Sequence, residues 1–138
     1  MQNTIAVTVT QNSATAAEGE AREHKILIDR PAHLEGENKG PMGGEVFLMG
    51  LGGCFMSNLL AAIRTREAPV SDVRVDIIAV KEDAPPRFTD IELKISASYN
   101  DREMMVKLVM IAERGCLVAN SIKNAIQLSF TISRSQFS

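Results

Sequence analysis

The chain contains several segments in which apolar and polar residues alternate, a pattern typical of β-strands with one buried face. Strands are predicted at about residues 4–10, 25–29, 71–81 and 88–99, and a further one at Leu128–Ile132. The intervening sequence Asp83-Ala84-Pro85-Pro86-Arg87 is a turn that a strand cannot cross. Residues 71–81 and 88–99 are therefore expected to pair as an antiparallel hairpin.

Residues 46–63 form a run of 18 positions without a charged side chain. That length reaches the minimum for a transmembrane helix. Small and polar residues interrupt the run: Gly50, Gly52, Gly53, Ser57 and Asn58. We therefore predict a helix from about Gly44 to Arg66 that is apolar on nearly every side because it lies inside a core, not in a membrane. Gly52 and Gly53 each weaken a helix by about 1 kcal/mol relative to Ala, which indicates that another element packs very close there.

The second half of the chain predicts two helical segments. Asn100-Asp101 offers an N-cap, Arg102-Glu103 opens a helix with apolar residues at helical spacing, and Gly115 ends it. A second helical segment starts at Cys116. The predicted order is β-β-α-β-β-α-α-β in one domain over residues 1–138, which is an α+β fold.

The charge balance and the motifs narrow the possible functions. Fifteen basic against seventeen acidic side chains give a net charge of −2, which disfavours nucleic acid as a partner. No secretory signal is evident, so a cytoplasmic location is expected. There is no phosphate-binding glycine motif, no GxSxG and no CxxC, and His24 and His33 lack zinc-ligand spacing. We expect no metal site.

The two cysteines are the remaining candidates for chemistry. Cys54 lies in the central apolar helix, and Cys116 starts a helical segment, where free amides and the helix dipole favour a thiolate. The simpler alternative is that both are buried structural cysteines. Glu45 precedes Cys54 by nine positions. Along one helix this separates their Cα atoms by about 13–14 Å, so Glu45 can act on the thiol only through an intermediate residue such as an arginine. Arg22 and Arg30 are the candidates, and each is otherwise a surface charge.

Two motifs resemble the OsmC/Ohr family. GPMGGEVFLMGLGGC is similar to its GPxPxELLLAALGxC motif, and AERGCLVANSIKNAIQLSFTIS is similar to the motif around its second cysteine. With the order of elements, the resemblance extends from about Ile26 to Ile132. It implies an antiparallel sheet packed around a long buried central helix, in an intertwined homodimer with two active sites at the subunit interface.

The resemblance also implies an activity, the thiol-dependent reduction of organic hydroperoxides in oxidative-stress defence. Cys54 matches the peroxidatic cysteine, Cys116 the resolving cysteine, and Glu45 the carboxylate that holds an activating arginine. A dithiol of the lipoamide type would be the reductant, without metal or flavin. Gly43 stands where the family has proline. One register of the alignment places His33 at the position of the activating arginine, and Arg30 lies three residues earlier, so Arg30, Arg22 and His33 are the candidates for that role. The alternative is a non-catalytic dimer that binds an apolar small molecule against helix 46–63 and the methionines.

Overall fold

A computed structural model describes residues 2–135 of the chain. The chain divides into two compact units, Met1–Phe47 and Leu48–Ser138. A single domain over residues 1–138 stays a prediction. The α+β class is confirmed, with three α-helices and two three-stranded sheets in the described residues.

The first unit contains an antiparallel meander of three short strands, β1 (Thr8–Gln11), β2 (Ala17–Ala21) and β3 (His24–Ile28). The strand predicted at 25–29 is confirmed as β3. The strand predicted at 4–10 begins later than predicted, because the first residue of β1 that pairs with β2 is Thr8. The sequence pattern does not predict β2. After β3 come a 3₁₀ turn, Ala32–Leu34, and a loop that leads into the first helix.

Helix α1 (Gly43–Thr65) confirms the long helix predicted from about Gly44 to Arg66. It begins in the first unit and continues through the second. Its buried positions recur at helical spacing and form one face: Leu51, Gly52, Phe55, Leu59 and Ala62. The helix is long and apolar enough to cross a membrane by composition, but this buried face identifies it as a core helix of the second unit.

Other faces of α1 are exposed among residues 2–135. Met49 is 59% exposed and Leu60 is 45% exposed. Gly50 and Gly53 have open space where a Cβ atom would lie, whereas a Cβ on Gly52 would meet the Ile77 side chain at 2.5 Å. The close approach predicted from the two adjacent glycines is therefore present at Gly52, whereas a Cβ on Gly53 would meet nothing within 4 Å in the part of the chain that the structure describes.

The second unit contains a sheet of β4 (Ser71–Asp83), β5 (Pro86–Ser98) and β6 (Gln127–Arg134), in the order β4-β5-β6. The antiparallel pairing of β4 with β5 is confirmed. The β6 strand pairs parallel to β5, so this sheet is mixed. Parallel neighbours need a crossover connection, and here helices α2 (Arg102–Arg114) and α3 (Leu117–Ile122) supply it.

The core of the second unit lies between the inner face of this sheet and the helices. Alternate β5 residues are almost fully buried, as the predicted alternation requires: Ile91, Leu93, Ile95 and Ala97. Phe55 of α1 packs on Phe130 of β6 with ring centroids 5.4 Å apart. The predicted N-cap of α2 is confirmed, because the Asp101 side chain accepts a hydrogen bond from the Met104 amide.

Candidate active site

Cys54 lies near the middle of α1 in the second unit. The residue before Cys54, Gly53, is exposed, and the residue after it, Phe55, is fully buried. Cys54 itself is half-buried and free. Its position at the border between the buried and open faces of α1 leaves the residue packed against the core and partly exposed.

Cys116 lies at the N-cap position of α3 and is fully buried. Its amide donates to the Glu113 carbonyl at 3.1 Å, and its carbonyl accepts from the Asn120 amide at 2.9 Å. The first bond turns the chain out of α2 and the second starts α3. The Cys116 side chain is thus fixed where two helices meet.

The structure brings the two thiols together although 62 positions separate them in the sequence. Burial raises the pKa of Cys116, while the Ala119 and Val118 amides oppose this effect through hydrogen bonds to the sulfur. A side-chain hydrogen bond with Cys54 and the electrostatic interaction between the two thiol groups raise the pKa of Cys116 further. The expectation that the start of a helix favours a Cys116 thiolate is therefore wrong, because desolvation outweighs the amides of this short helix.

Glu45 lies in the first turn of α1, in the first unit. Its side chain is exposed, and its Oε1 accepts a hydrogen bond from the Met42 amide at 2.8 Å. A glutamate at the third helical position that accepts from the N-cap amide is one half of a capping box. The structure therefore gives Glu45 a local role at the start of the helix.

The three candidate cations are exposed residues of the first unit. Arg22 lies in the turn between β2 and β3 with a φ of 58°, and Arg30 follows β3. Within residues 2–135, the Arg30 guanidinium has no ion pair and no hydrogen bond. His33, in the 3₁₀ turn, lines an open pocket of about 560 Å³ together with Glu45 and Lys39. Neither Arg22 nor Arg30 lines this pocket.

Lys39 is a further cation of this pocket, and the sequence pattern does not predict it. It lies in the Gly-rich loop before α1, six positions from Glu45, and forms an ion pair with Glu37 at 3.7 Å. Nothing in the local pattern marks such a loop lysine, because the shape of the loop decides where it points.

Asp29 organises the loop from Arg30 to Pro41 and was also missed. It is buried, and its carboxylate accepts hydrogen bonds from the Arg30, Glu37 and Lys39 amides. Burial acts to raise the pKa of Asp29, but hydrogen bonds, first those of the Lys39 and Arg30 amides, hold that pKa below its ordinary value of 3.8. One ionised carboxylate thus satisfies three amides of a loop that has little apolar packing of its own.

Two glycines allow this loop to fold closely on the end of β3. A Cβ on Gly36 would lie 2.0 Å from the Arg30 carbonyl oxygen, and one on Gly40 would lie 2.2 Å from that of Leu27. Backbone atoms cannot move aside as a flexible side chain can, so both positions require glycine in this conformation. The loop therefore presents Arg30, His33 and Lys39 from a defined framework.

Clusters of metal-ligating side chains are absent from residues 2–135. No group of three or more His, Cys, Asp or Glu residues in that range is arranged to hold a metal ion.

Comparison with solved structures shows the fold. An OsmC-like protein from Mycoplasma pneumoniae has a TM-score of 0.82 at 16% identity, covering 98% of this chain and 98% of that chain. An organic hydroperoxide resistance protein OsmC from Legionella pneumophila has a TM-score of 0.73 at 18% identity, covering 96% and 98%. The organic hydroperoxide resistance protein OhrB of Bacillus subtilis has a TM-score of 0.68 at 17% identity, covering 95% and 98%.

None of the curated proteins matches the sequence. The family model for OsmC-like proteins matches residues 36–131, which include both cysteines and Glu45. This match covers well over half of the chain. The protein therefore belongs to the OsmC-like family.

Proposed function

We propose that this protein is a thiol peroxidase that reduces organic hydroperoxides in the cytoplasm and acts in oxidative-stress defence. The observation that carries the proposal is the direct interaction between the Cys54 and Cys116 thiols. Membership of a family whose solved members include organic hydroperoxide resistance proteins supports the same chemistry.

The difference in burial supports a division of roles between the cysteines. Cys54 is half-buried, so a hydroperoxide can reach it, whereas Cys116 is fully buried. In the proposed first step, the Cys54 thiolate attacks the outer peroxide oxygen and the O–O bond breaks. Cys54 is oxidised to a sulfenic acid, and the alkoxide leaves and takes a proton to become the alcohol.

Cys116 is the proposed resolving residue. Its raised pKa keeps it a neutral thiol, so its proton is available when its sulfur attacks the Cys54 sulfenic acid. That step forms the disulfide, breaks the S–O bond and releases water. A dithiol of the lipoamide type then reduces the disulfide and becomes a cyclic disulfide itself.

We also propose that Arg30 activates Cys54 and that Glu45 holds the arginine. A guanidinium near the thiol would lower the pKa of Cys54 and increase its thiolate fraction. The exposed, unpaired state of Arg30 within residues 2–135 supports its availability for this role. His33, which shares a pocket with Glu45, is the alternative cation.

The rate of Cys54 alkylation against pH, measured in a Cys116→Ser background, distinguishes these cations. Arg30→Met should shift the midpoint to higher pH, with Arg22→Met as the matched exposed control. A shift with His33→Leu and none with Arg30→Met would assign the role to His33.

The open face of α1 supports assembly as a homodimer. Met49 and Leu60 are exposed apolar side chains, and Gly50 and Gly53 leave room for a partner. Burying such a surface in a second copy stabilises it by the hydrophobic effect. The same surface also supports the second candidate function, a non-catalytic dimer that binds an apolar small molecule at its interface.

Thiol titration after addition of an alkyl hydroperoxide tests the proposal. We expect both free thiols to disappear together, an intramolecular disulfide to appear in the peptide map, and Cys54→Ser to abolish turnover. Cys116→Ser should still react once and accumulate sulfenic acid that dimedone traps. Unchanged thiols in excess peroxide would refute the peroxidase and favour the binding protein.

A further inference from the structure

Asn58 occupies an unusual place in α1. It is one of only two residues with a hydroxyl or amide side chain in the uncharged stretch 46–63, and the other is Ser57. Asn58 follows Cys54 by four positions, so the two side chains lie on the same side of the helix, one turn apart. Ser57 is exposed, whereas Asn58 is half-buried.

The Asn58 amide contacts the segment that carries Cys116. Its Nδ2 donates a hydrogen bond to the Ala112 carbonyl oxygen at 3.4 Å. A Cβ on Gly115 would lie 3.4 Å from the same nitrogen, so the amide packs directly on the residue before Cys116. Asn58 therefore lies between the two elements that hold the cysteines.

The contact satisfies a carbonyl that the end of α2 leaves without its helical partner. In a continuing helix the Cys116 amide would donate to the Ala112 carbonyl. Here that amide donates to Glu113 instead, as the chain turns towards α3. Ala112 is fully buried, and a buried carbonyl without a donor is destabilising. The Asn58 side chain supplies the donor.

We propose that Asn58 is a positioning residue for the disulfide chemistry. By bonding to the end of α2 from α1, it holds the turn at Gly115 and Cys116 in place and keeps the Cys116 sulfur beside that of Cys54. The inference rests on the proposed pairing of these cysteines. It requires no peroxidase activity, because the position of the sulfurs is a property of the reduced protein.

The test is equilibration of the purified protein with reduced and oxidised glutathione. Each protein dithiol reacts with one glutathione disulfide to give the Cys54–Cys116 disulfide and two glutathione thiols, and the equilibrium constant is the effective concentration of the pair. A disulfide constrains α1 and the α2 end covalently, so losing the hydrogen bond loosens mainly the dithiol form. Asn58→Ala should therefore lower the effective concentration about three- to tenfold, the range expected for one hydrogen bond.

Ser57→Ala is the matched control, because it removes a neighbouring polar group that faces solvent, and it should leave the effective concentration unchanged. Asn58→Leu fills the same space without a donor and should show the same fall as Asn58→Ala. Circular dichroism verifies that each variant is folded. The thermal midpoint of each reduced variant separates the local effect from a general loss of stability.

Three results would overturn the inference. The first is an effective concentration in Asn58→Ala within twofold of the unmodified protein. The second is full recovery in Asn58→Leu, which would make volume the cause. The third is the absence of a Cys54–Cys116 disulfide in the unmodified chain, which would also remove the basis of the proposed function. A disulfide that forms in glutathione but not with hydroperoxide would overturn the peroxidase alone.

Discussion

The close approach of β4 to α1 at Gly52 predicts a substitution with two opposing effects. Ala in place of Gly strengthens a helix by about 1 kcal/mol. The added Cβ would lie 2.5 Å from Ile77 Cδ1 and 3.2 Å from its Cγ1, which forces the isoleucine to move. Overpacking of this kind costs about 1–3 kcal/mol. Gly52→Ala should therefore leave the free energy of unfolding unchanged or lower it by up to about 2 kcal/mol.

Gly50→Ala is the matched control on the same helix. Its Cβ meets nothing within 4 Å in the chain, so within one subunit only the helix propensity changes, and the isolated subunit should gain up to about 1 kcal/mol. Urea unfolding of both variants at one fixed protein concentration gives the comparison, because any dimer makes stability depend on concentration. The two substitutions should differ by about 1–3 kcal/mol.

Ile77→Val provides the decisive second perturbation. Valine lacks the Cδ1 atom that lies closest to the added Cβ, so Gly52→Ala should become neutral or stabilising in the Ile77→Val background. Ile77→Val alone should cost about 0.5–1.5 kcal/mol, and the two changes together should show a coupling of about 1–2 kcal/mol. A coupling below about 0.5 kcal/mol, with Gly52→Ala as favourable as Gly50→Ala, would refute the close contact.

Two further predictions concern acidic side chains. Asp101→Ala removes the acceptor of the Met104 amide and should cost about 1 kcal/mol in urea unfolding, whereas Asp101→Ser should restore most of it; an equal loss in both would contradict the capping role. Asp29 has a native pKa below 3.8, so its contribution to stability is present above that pH and is lost as the pH falls through the native pKa. As the pH falls below 3.8, the Glu37 and Lys39 amides should be the first to lose protection from hydrogen exchange. In an Asp29→Asn variant this loss should no longer depend on pH in the same way. If the protection of both amides follows the same pH course in Asp29→Asn as in the unmodified chain, the Asp29 carboxylate does not hold this loop.

The strands and helices with a clear apolar period were predictable from the sequence. Alternation of Ile91, Leu93 and Ile95 locates β5, and the uncharged stretch locates α1. Strand β2 was missed because Glu18, Gly19 and Glu20 have weak strand propensity and no apolar face. It exists because β1 and β3 pair on both of its sides.

The orientation of β6 shows a second limit. An apolar run specifies a strand but carries no direction, and the parallel pairing with β5 depends on the path of α2 and α3 over the sheet. The start of β1 was misjudged for a related reason. Ile5 and Val7 continue the alternation, but they are 79% and 67% exposed and precede the residues of β1 that pair with β2.

The sequence was sufficient to select the two cysteines of the candidate site, but not to predict the burial and hydrogen bonds around them. Their wide spacing and the family motifs selected Cys54 and Cys116. The pKa of Cys116 was misjudged, because a local pattern reports the start of a helix but not the burial around it. Asn58 and Asp29 carry no sequence signal for their roles, because the backbone groups that they satisfy are defined only in the folded chain.

In the loop between β3 and α1, the residues that fix the conformation are different from the residues whose side chains project into solvent. Its conformation depends on the Asp29 carboxylate and on two glycines, while Arg30, His33 and Lys39 project from it with little part in holding it. Replacing these exposed side chains should therefore change the free energy of unfolding only slightly. Point mutations in this one surface segment can therefore change the charges that the first unit presents to solvent, while the Asp29 carboxylate and the two glycines keep the conformation of the loop.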